Sequence, residues 1–298
     1  MRTSVEIFGK TLKNPLLPAS GTYGYGEAYS QYYSPSELGA LISKGITWNP
    51  KPGNEGIRIW ETPSGILNSI GLENPGIHEF LNGSLQKMQT LNENVIVNLG
   101  GNTIEEYINS VELLNDHDFF AIELNISCPN VKEGGMAFGI ESETAAEVTK
   151  IVKAHTKHNL IVKLSPNARN IVECAKAVEE AGADSVSLIN TVLGMAIDPY
   201  QEKAVFNNTY AGLSGPAVKP IALRMVHQVA KNVNIPVVAA GGISTGLDVA
   251  EFMMAGATLV QIGTANFMNP NAVVDILKDF DEFLKEKDKT ATEIIGII

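Results

Sequence analysis

The chain has 298 residues, enough for two average domains of ~150 residues but also the length of one α/β barrel. Its 44% hydrophobic and 18% charged residues exclude disordered and fibrous architectures. Lys and Arg number 22 against 33 Asp and Glu, and the net charge of −11 argues against a nucleic-acid partner, though a small anion can still bind in a local pocket. Two cysteines, Cys128 and Cys174, are too few for a disulfide framework or a four-thiolate iron–sulfur cluster.

Residues 1–18 show no basic region followed by an apolar run and a small-residue cleavage site, so no secretory leader is expected. No apolar stretch approaches ~18 residues, so no membrane span is expected and a cytoplasmic location follows. The next residues, 5–12, are expected to form a hairpin. Short apolar runs come at 16–19, 40–43, 95–98, 120–124, 160–164, 185–189, 236–240 and 258–262. Most are nearly continuous in hydrophobicity rather than alternating, as strands covered on both faces are.

Between the runs lie amphipathic stretches at 103–114, 143–158, 168–181, 216–233 and 244–255, with apolar residues three to four apart. Thr103, ahead of Glu105 and Glu106, is the expected N-cap of the first. Gly182 and Gly256 read as helix-stop glycines leading into strands. Strand–helix alternation of this kind predicts a parallel sheet with right-handed crossovers, and eight units closing on themselves make a (β/α)8 TIM barrel. An open doubly wound sheet is the alternative. Residues 48–72 and 192–215, rich in Gly, Pro and Asn, are expected to be excursion loops over the top face. No linker divides the chain, so residues 1–298 are read as one domain.

Reactive groups of such barrels lie at the C-terminal ends of the strands. Those ends carry Ser20-Gly21, Ser43-Lys44-Gly45, Asn98, Asn125, Lys163, Asn190-Thr191, Gly241-Gly242 and Gly263-Thr264. Two lysines and three asparagines directed into one mouth exceed what packing needs. Gly241-Gly242-Ile243-Ser244 before a helix, with Gly263-Thr264 after the next run, fits a phosphate cradle. Neither Gly21-Thr22-Tyr23-Gly24-Tyr25-Gly26 nor Gly100-Gly101-Asn102 matches the dinucleotide fingerprint. Cys128 follows the run at 120–124 in a loop with polar neighbours, where a thiol with an ordinary pKa of ~8.5 can act as a proton acceptor. Cys174 falls in a helical stretch and reads as core. The five histidines show no metal-ligand spacing.

Asn125-Ile126-Ser127-Cys128-Pro129-Asn130, Asn68-Ser69-Ile70-Gly71-Leu72, Val162-Lys163-Leu164-Ser165-Pro166 and Ala240-Gly241-Gly242-Ile243 together resemble the dihydroorotate dehydrogenases, over nearly the whole chain. Cysteine rather than serine at 128 resembles class 1 of that family. Glu73-Asn74-Pro75-Gly76, Gly134-Gly135-Met136-Ala137-Phe138-Gly139 and Gly212-Leu213-Ser214-Gly215-Pro216 resemble the class 1B catalytic subunits most.

The resemblance implies FMN in this chain and oxidation of (S)-dihydroorotate to orotate in pyrimidine biosynthesis. By it Cys128 is the general base at C5, and hydride leaves C6 for the flavin. Lys44, Asn68, Ser69, Ile70, Gly71, Leu72, Asn125, Asn190 and Thr191 would bind the substrate. Ser20, Lys44, Gly45, Asn98, Asn125, Lys163, Ile189, Gly215, Gly241, Gly242, Gly263 and Thr264 would line the FMN site. Class 1B further implies a heterotetramer built on a homodimer of this chain, with electrons passing to NAD+ through a partner subunit that holds FAD and [2Fe–2S]. Two other readings stand beside it: a class 1A enzyme that uses fumarate and needs no partner, and, more remotely, a Schiff-base lyase using Lys163.

Overall fold

The computed structural model describes residues 1–126 and 139–298. The chain opens with an antiparallel hairpin, β1 (Val5–Ile7) and β2 (Lys10–Leu12), as expected for this segment. β3 (Leu16–Pro18) and β4 (Leu41–Ile42) follow, then a second hairpin, β5 (Ile59–Thr62) and β6 (Gly65–Asn68). A helical stretch runs from α1 (Ile77–Glu79) through a π turn at Phe80–Ser84 into α2 (Leu85–Leu91). Next come β7 (Val95–Leu99), α3 (Ile104–Leu114), β8 (Ala121–Asn125), α4 (Ser142–His155), β9 (Leu160–Lys163), α5 (Ile171–Glu180) and β10 (Ser185–Leu188). The second excursion holds β11 (Val192–Met195), β12 (Ile197–Asp198), β13 (Lys203–Ala204) and β14 (Tyr210–Ser214). The chain ends with α6 (Lys219–Ala230), β15 (Val237–Ala240), α7 (Gly246–Met254), β16 (Leu259–Ile262), α8 (Ala265–Met268) and α9 (Ala272–Glu286).

Eight parallel strands form one sheet in the order β3-β16-β15-β10-β9-β8-β7-β4. Its two ends meet: the Gly39 N–H, just ahead of β4, donates to the Leu16 carbonyl of β3 at 3.0 Å. This is the barrel expected from the eight apolar runs. The strands are buried on both faces because the helices cover the outside and inward side chains fill the inside.

Three helix starts, those of α3, α5 and α7, are set by side-chain caps. The Thr103 hydroxyl accepts the Glu106 N–H at 3.2 Å, the cap expected for α3. Asn170 accepts from Val172 and Glu173, so α5 starts at Ile171 rather than at 168. Thr245 and Asp248 form a capping box, so α7 starts at Gly246 rather than at 244. Gly182 and Gly256 follow α5 and α7 with φ of 99° and 112°, the left-handed stops expected there.

Two features go beyond the sequence reading. The excursions at 48–72 and 192–215 lie at the mouth of the barrel, as expected, and each contains strands. They pair with each other in a four-stranded antiparallel sheet, β11-β14-β6-β5, in which Asn68 lies opposite Gly212 and Leu67 opposite Leu213. Leu67, Val205, Phe206 and Ala211 form a small core under this sheet. α9 was also not anticipated, although Val273, Ile276, Phe280 and Leu284 give it a buried stripe.

α7 and α9 touch at backbone distance. A Cβ added to Gly246 would sit 2.3 Å from the Phe280 backbone N. Gly246→Ala should therefore force these helices apart and destabilise the chain by roughly 1–3 kcal/mol, as overpacking does. Urea unfolding of the variant measures this; an unchanged midpoint would contradict the contact.

Candidate active site

A cavity of about 870 Å³ opens at the C-terminal ends of the barrel strands, under the antiparallel sheet. Ser20, Lys44, Gly45, Asn68, Ser69, Ile70, Gly71, Leu72, Asn98, Asn125, Lys163, Ile189, Asn190, Thr191, Gly215, Gly241, Gly242, Gly263 and Thr264 all line it. These residues come from segments as far apart as 20 and 264, and barrel closure brings them together. Cys128, and the Gly134–Phe138 part of its loop, lie outside the described residues. Cys174 is buried in α5, and burial pushes its thiol up to about 11, which fits a core position.

The cavity floor is polar, and part of it was missed in the sequence. Glu123 points inward from the middle of β8 and is fully buried. Its Oε1 accepts from Asn98 Nδ2 at 2.6 Å and from Lys163 Nζ at 3.2 Å, and its Oε2 accepts from Gln261 Nε2 at 2.5 Å. Strand register produces this convergence: Asn98 lies opposite Glu123 across β7 and β8, and Asn125 opposite Lys163 across β8 and β9. Burial pushes the Glu123 carboxyl up, but Lys163, Gln261 and Asn98 outweigh it and hold the group below its usual range. The floor thus carries an ion pair: Lys163 Nζ has Glu123 on one side and Ser20 Oγ, 3.2 Å away, on the other. The available signal was a charge inside an apolar run, Ala121-Ile122-Glu123-Leu124, and an amide in another, Val260-Gln261-Ile262.

One side of the mouth is cationic. Lys44, just after β4, has its Nζ 3.8 Å from Glu73 Oε2, and Arg58 Nη1 lies 2.9 Å from the same oxygen. The Arg58 hydrogen bond and then the Lys44 charge hold the Glu73 carboxyl below its usual range. Asn74 pins this loop. Its Nδ2 donates to Thr47 Oγ1 and the Leu72 carbonyl, and its Oδ1 accepts from the Gly76 N–H. Asn68 is held from the sheet above, its Nδ2 donating to the Gly212 carbonyl at 3.2 Å.

The other side is a cradle of backbone. Gly242 has φ of +76°, and a Cβ there would come within 2.7 Å of the Lys219 N and 2.8 Å of the Gly215 carbonyl O. Only glycine fits this turn. Behind it, Asp248 accepts from the Ser244 and Thr245 N–H groups and pairs with Lys219. Thr264 Oγ1 donates to Ser214 Oγ at 2.8 Å and ties β14 to the end of β16.

Glu123 ionises more readily in the folded chain than in the unfolded one. Its contribution to stability is therefore present above the ordinary Glu value of ~4.3 and is lost as pH falls from there through the lower folded value. Glu123→Gln should flatten the acid limb of stability against pH in urea unfolding. An acid limb as steep as that of the parent chain would contradict an ionised Glu123.

Comparison with known proteins agrees with this geometry. A family model described as dihydroorotate dehydrogenase matches residues 2–284. The chain is 52% identical over 297 residues to the dihydroorotate dehydrogenase B (NAD(+)), catalytic subunit, of Petrotoga mobilis, covering 99% of each. It is 50% identical to proteins of the same name from Thermoanaerobacter pseudethanolicus and Bacteroides thetaiotaomicron, covering 99% of this chain and 98% of each of theirs. The chain belongs to the dihydroorotate dehydrogenase family.

Proposed function

We propose that this chain is the FMN-binding catalytic subunit of an NAD+-linked dihydroorotate dehydrogenase and oxidises (S)-dihydroorotate to orotate in pyrimidine biosynthesis. The observation that carries this reading is one cavity with two chemically distinct ends: cation and amides on one side, a glycine backbone cradle on the other.

The described residues fit FMN. Gly215, Gly241, Gly242, Gly263 and Thr264 would hold its phosphate, where backbone can approach closely. Ser20, Gly45, Asn98, Lys163 and Ile189 would hold its ring. Gln261 adds a further sign of fit: its side chain is 1% exposed at the cavity wall, and its Oε1 has no hydrogen-bond partner among the described residues. Bound FMN supplies the hydride acceptor for the oxidation.

The chain's own residues do the rest. Lys44 binds the substrate carboxylate, displacing the looser contact with Glu73. Asn68, Asn125, Asn190 and Thr191 present donors and acceptors to the ring edge, and Ser69, Ile70, Gly71 and Leu72 close the wall above it. Cys128 accepts the proton from C5 as general base. Lys163 presents a cation to the ring-binding region, where it stabilises developing negative charge.

The relatives are named as catalytic subunits of an NAD(+) enzyme, which supports a partner chain. This chain's two cysteines are too few to ligate a [2Fe–2S] cluster, so we place that cluster and FAD in the partner, around a homodimer of this chain. Among the described residues no helix is long and apolar enough to cross a membrane, and we place the assembly in the cytoplasm.

Two variants test the roles. Cys128→Ala should keep FMN while slowing flavin reduction by dihydroorotate by 100-fold or more (on the order of general-base effects) in anaerobic stopped flow; unchanged rates would remove Cys128 from the base role. Lys44→Ala should weaken orotate binding by about tenfold or more, the loss of a charge-assisted hydrogen bond. Normal orotate affinity in a titration of the flavin spectrum would contradict the carboxylate contact.

A further inference from the structure

The floor carries a group that no step above uses. Glu123 does not line the cavity, yet it touches Asn98, Lys163 and Gln261, which do. These three partners come from β7, β9 and β16, so one carboxylate joins three strands of the barrel beneath the mouth. Its side chain has no exposure, and that of Lys163 is only 6% exposed. At such burial the two charges act on each other, and on anything above them, with little screening by water.

We propose that Glu123 is a positioning residue that fixes Lys163 at the wall of the cavity that would hold the flavin and, as its buried counter-charge, limits how strongly Lys163 favours the reduced flavin. The proposal rests on the reading of this cavity as an FMN site. Lys163 alone would pull the flavin toward its reduced form, because two-electron reduction leaves negative charge on the ring that a cation stabilises. Paired with a carboxylate 3.2 Å away, the ammonium forms part of a neutral unit, and its pull is reduced. A flavin that must first take electrons from substrate and then release them to an acceptor needs this restraint. The same carboxylate holds the Asn98 and Gln261 amides in one orientation.

Glu123→Gln removes the charge and keeps the shape. The test is the midpoint potential of bound FMN in the full chain, measured anaerobically against a reference dye, for the parent, Glu123→Gln, Lys163→Met and the double variant. Glu123→Gln should shift the equilibrium toward reduced flavin at least tenfold, about 30 mV for a two-electron couple. The shift should vanish in the Lys163→Met background, because a carboxylate sealed at this depth without its cation takes up a proton and leaves no charge for the glutamine to remove.

An unchanged potential in Glu123→Gln, a shift toward oxidised flavin, or an equal shift in both backgrounds would overturn the proposal and leave Glu123 a purely structural group. If Glu123→Gln alone does not fold, Lys163→Met and the double variant decide: equal potentials uphold the proposal and a tenfold difference overturns it. A parent chain that takes up no FMN overturns the functional reading as well. A parent that takes it up, with a Glu123→Gln variant of the same potential, overturns this proposal alone.

Discussion

A carboxylate sealed inside a parallel barrel must be surrounded by donors, because an unpaired buried charge costs several kcal/mol. Here the donors come from neighbouring strands, and they converge only if the register across β7, β8 and β9 is kept and the barrel closes to bring β16 across. A slip of one residue in β8 would turn Glu123 outward to the helices and strand it there. The Glu123 cluster therefore ties fold to chemistry: the register that satisfies it also sets Asn98, Asn125 and Lys163 at the level of the mouth.

Above this floor the site is assembled from two kinds of support. The strand ends and the α7 capping box are held by barrel and helices, and they fix the glycine cradle. The wall carrying Asn68 to Leu72 is held by the antiparallel sheet and by Asn74, which binds Thr47, Leu72 and Gly76. On the proposed reading, phosphate recognition would rest on barrel and helices, and substrate recognition on an added layer whose own core is four residues.

Much of this was legible in the sequence because the relevant signals are local. Eight apolar runs, the caps at Thr103 and the stops at Gly182 and Gly256 follow from burial and backbone sterics within a few residues. The polar set at the strand ends could be placed in one mouth once closure was assumed. The antiparallel sheet at the mouth was not legible: Asn68 and Gly212 lie 144 residues apart, and no local pattern announces their pairing. Glu123 and Gln261 were passed over for another reason. Each interrupts a buried run, and hydrophobic periodicity treats such a residue as noise rather than as half of a pair. A charge in a strand covered on both faces is better read as a demand for a partner, here Lys163.

The most direct measurement of the central claim is optical. The purified chain, loaded with FMN under anaerobic conditions, is titrated with dihydroorotate while the flavin absorbance is followed. Bleaching of the flavin with one orotate formed per flavin is the result this account requires. A chain that binds no FMN, or whose bound flavin stays oxidised in excess dihydroorotate, would contradict it.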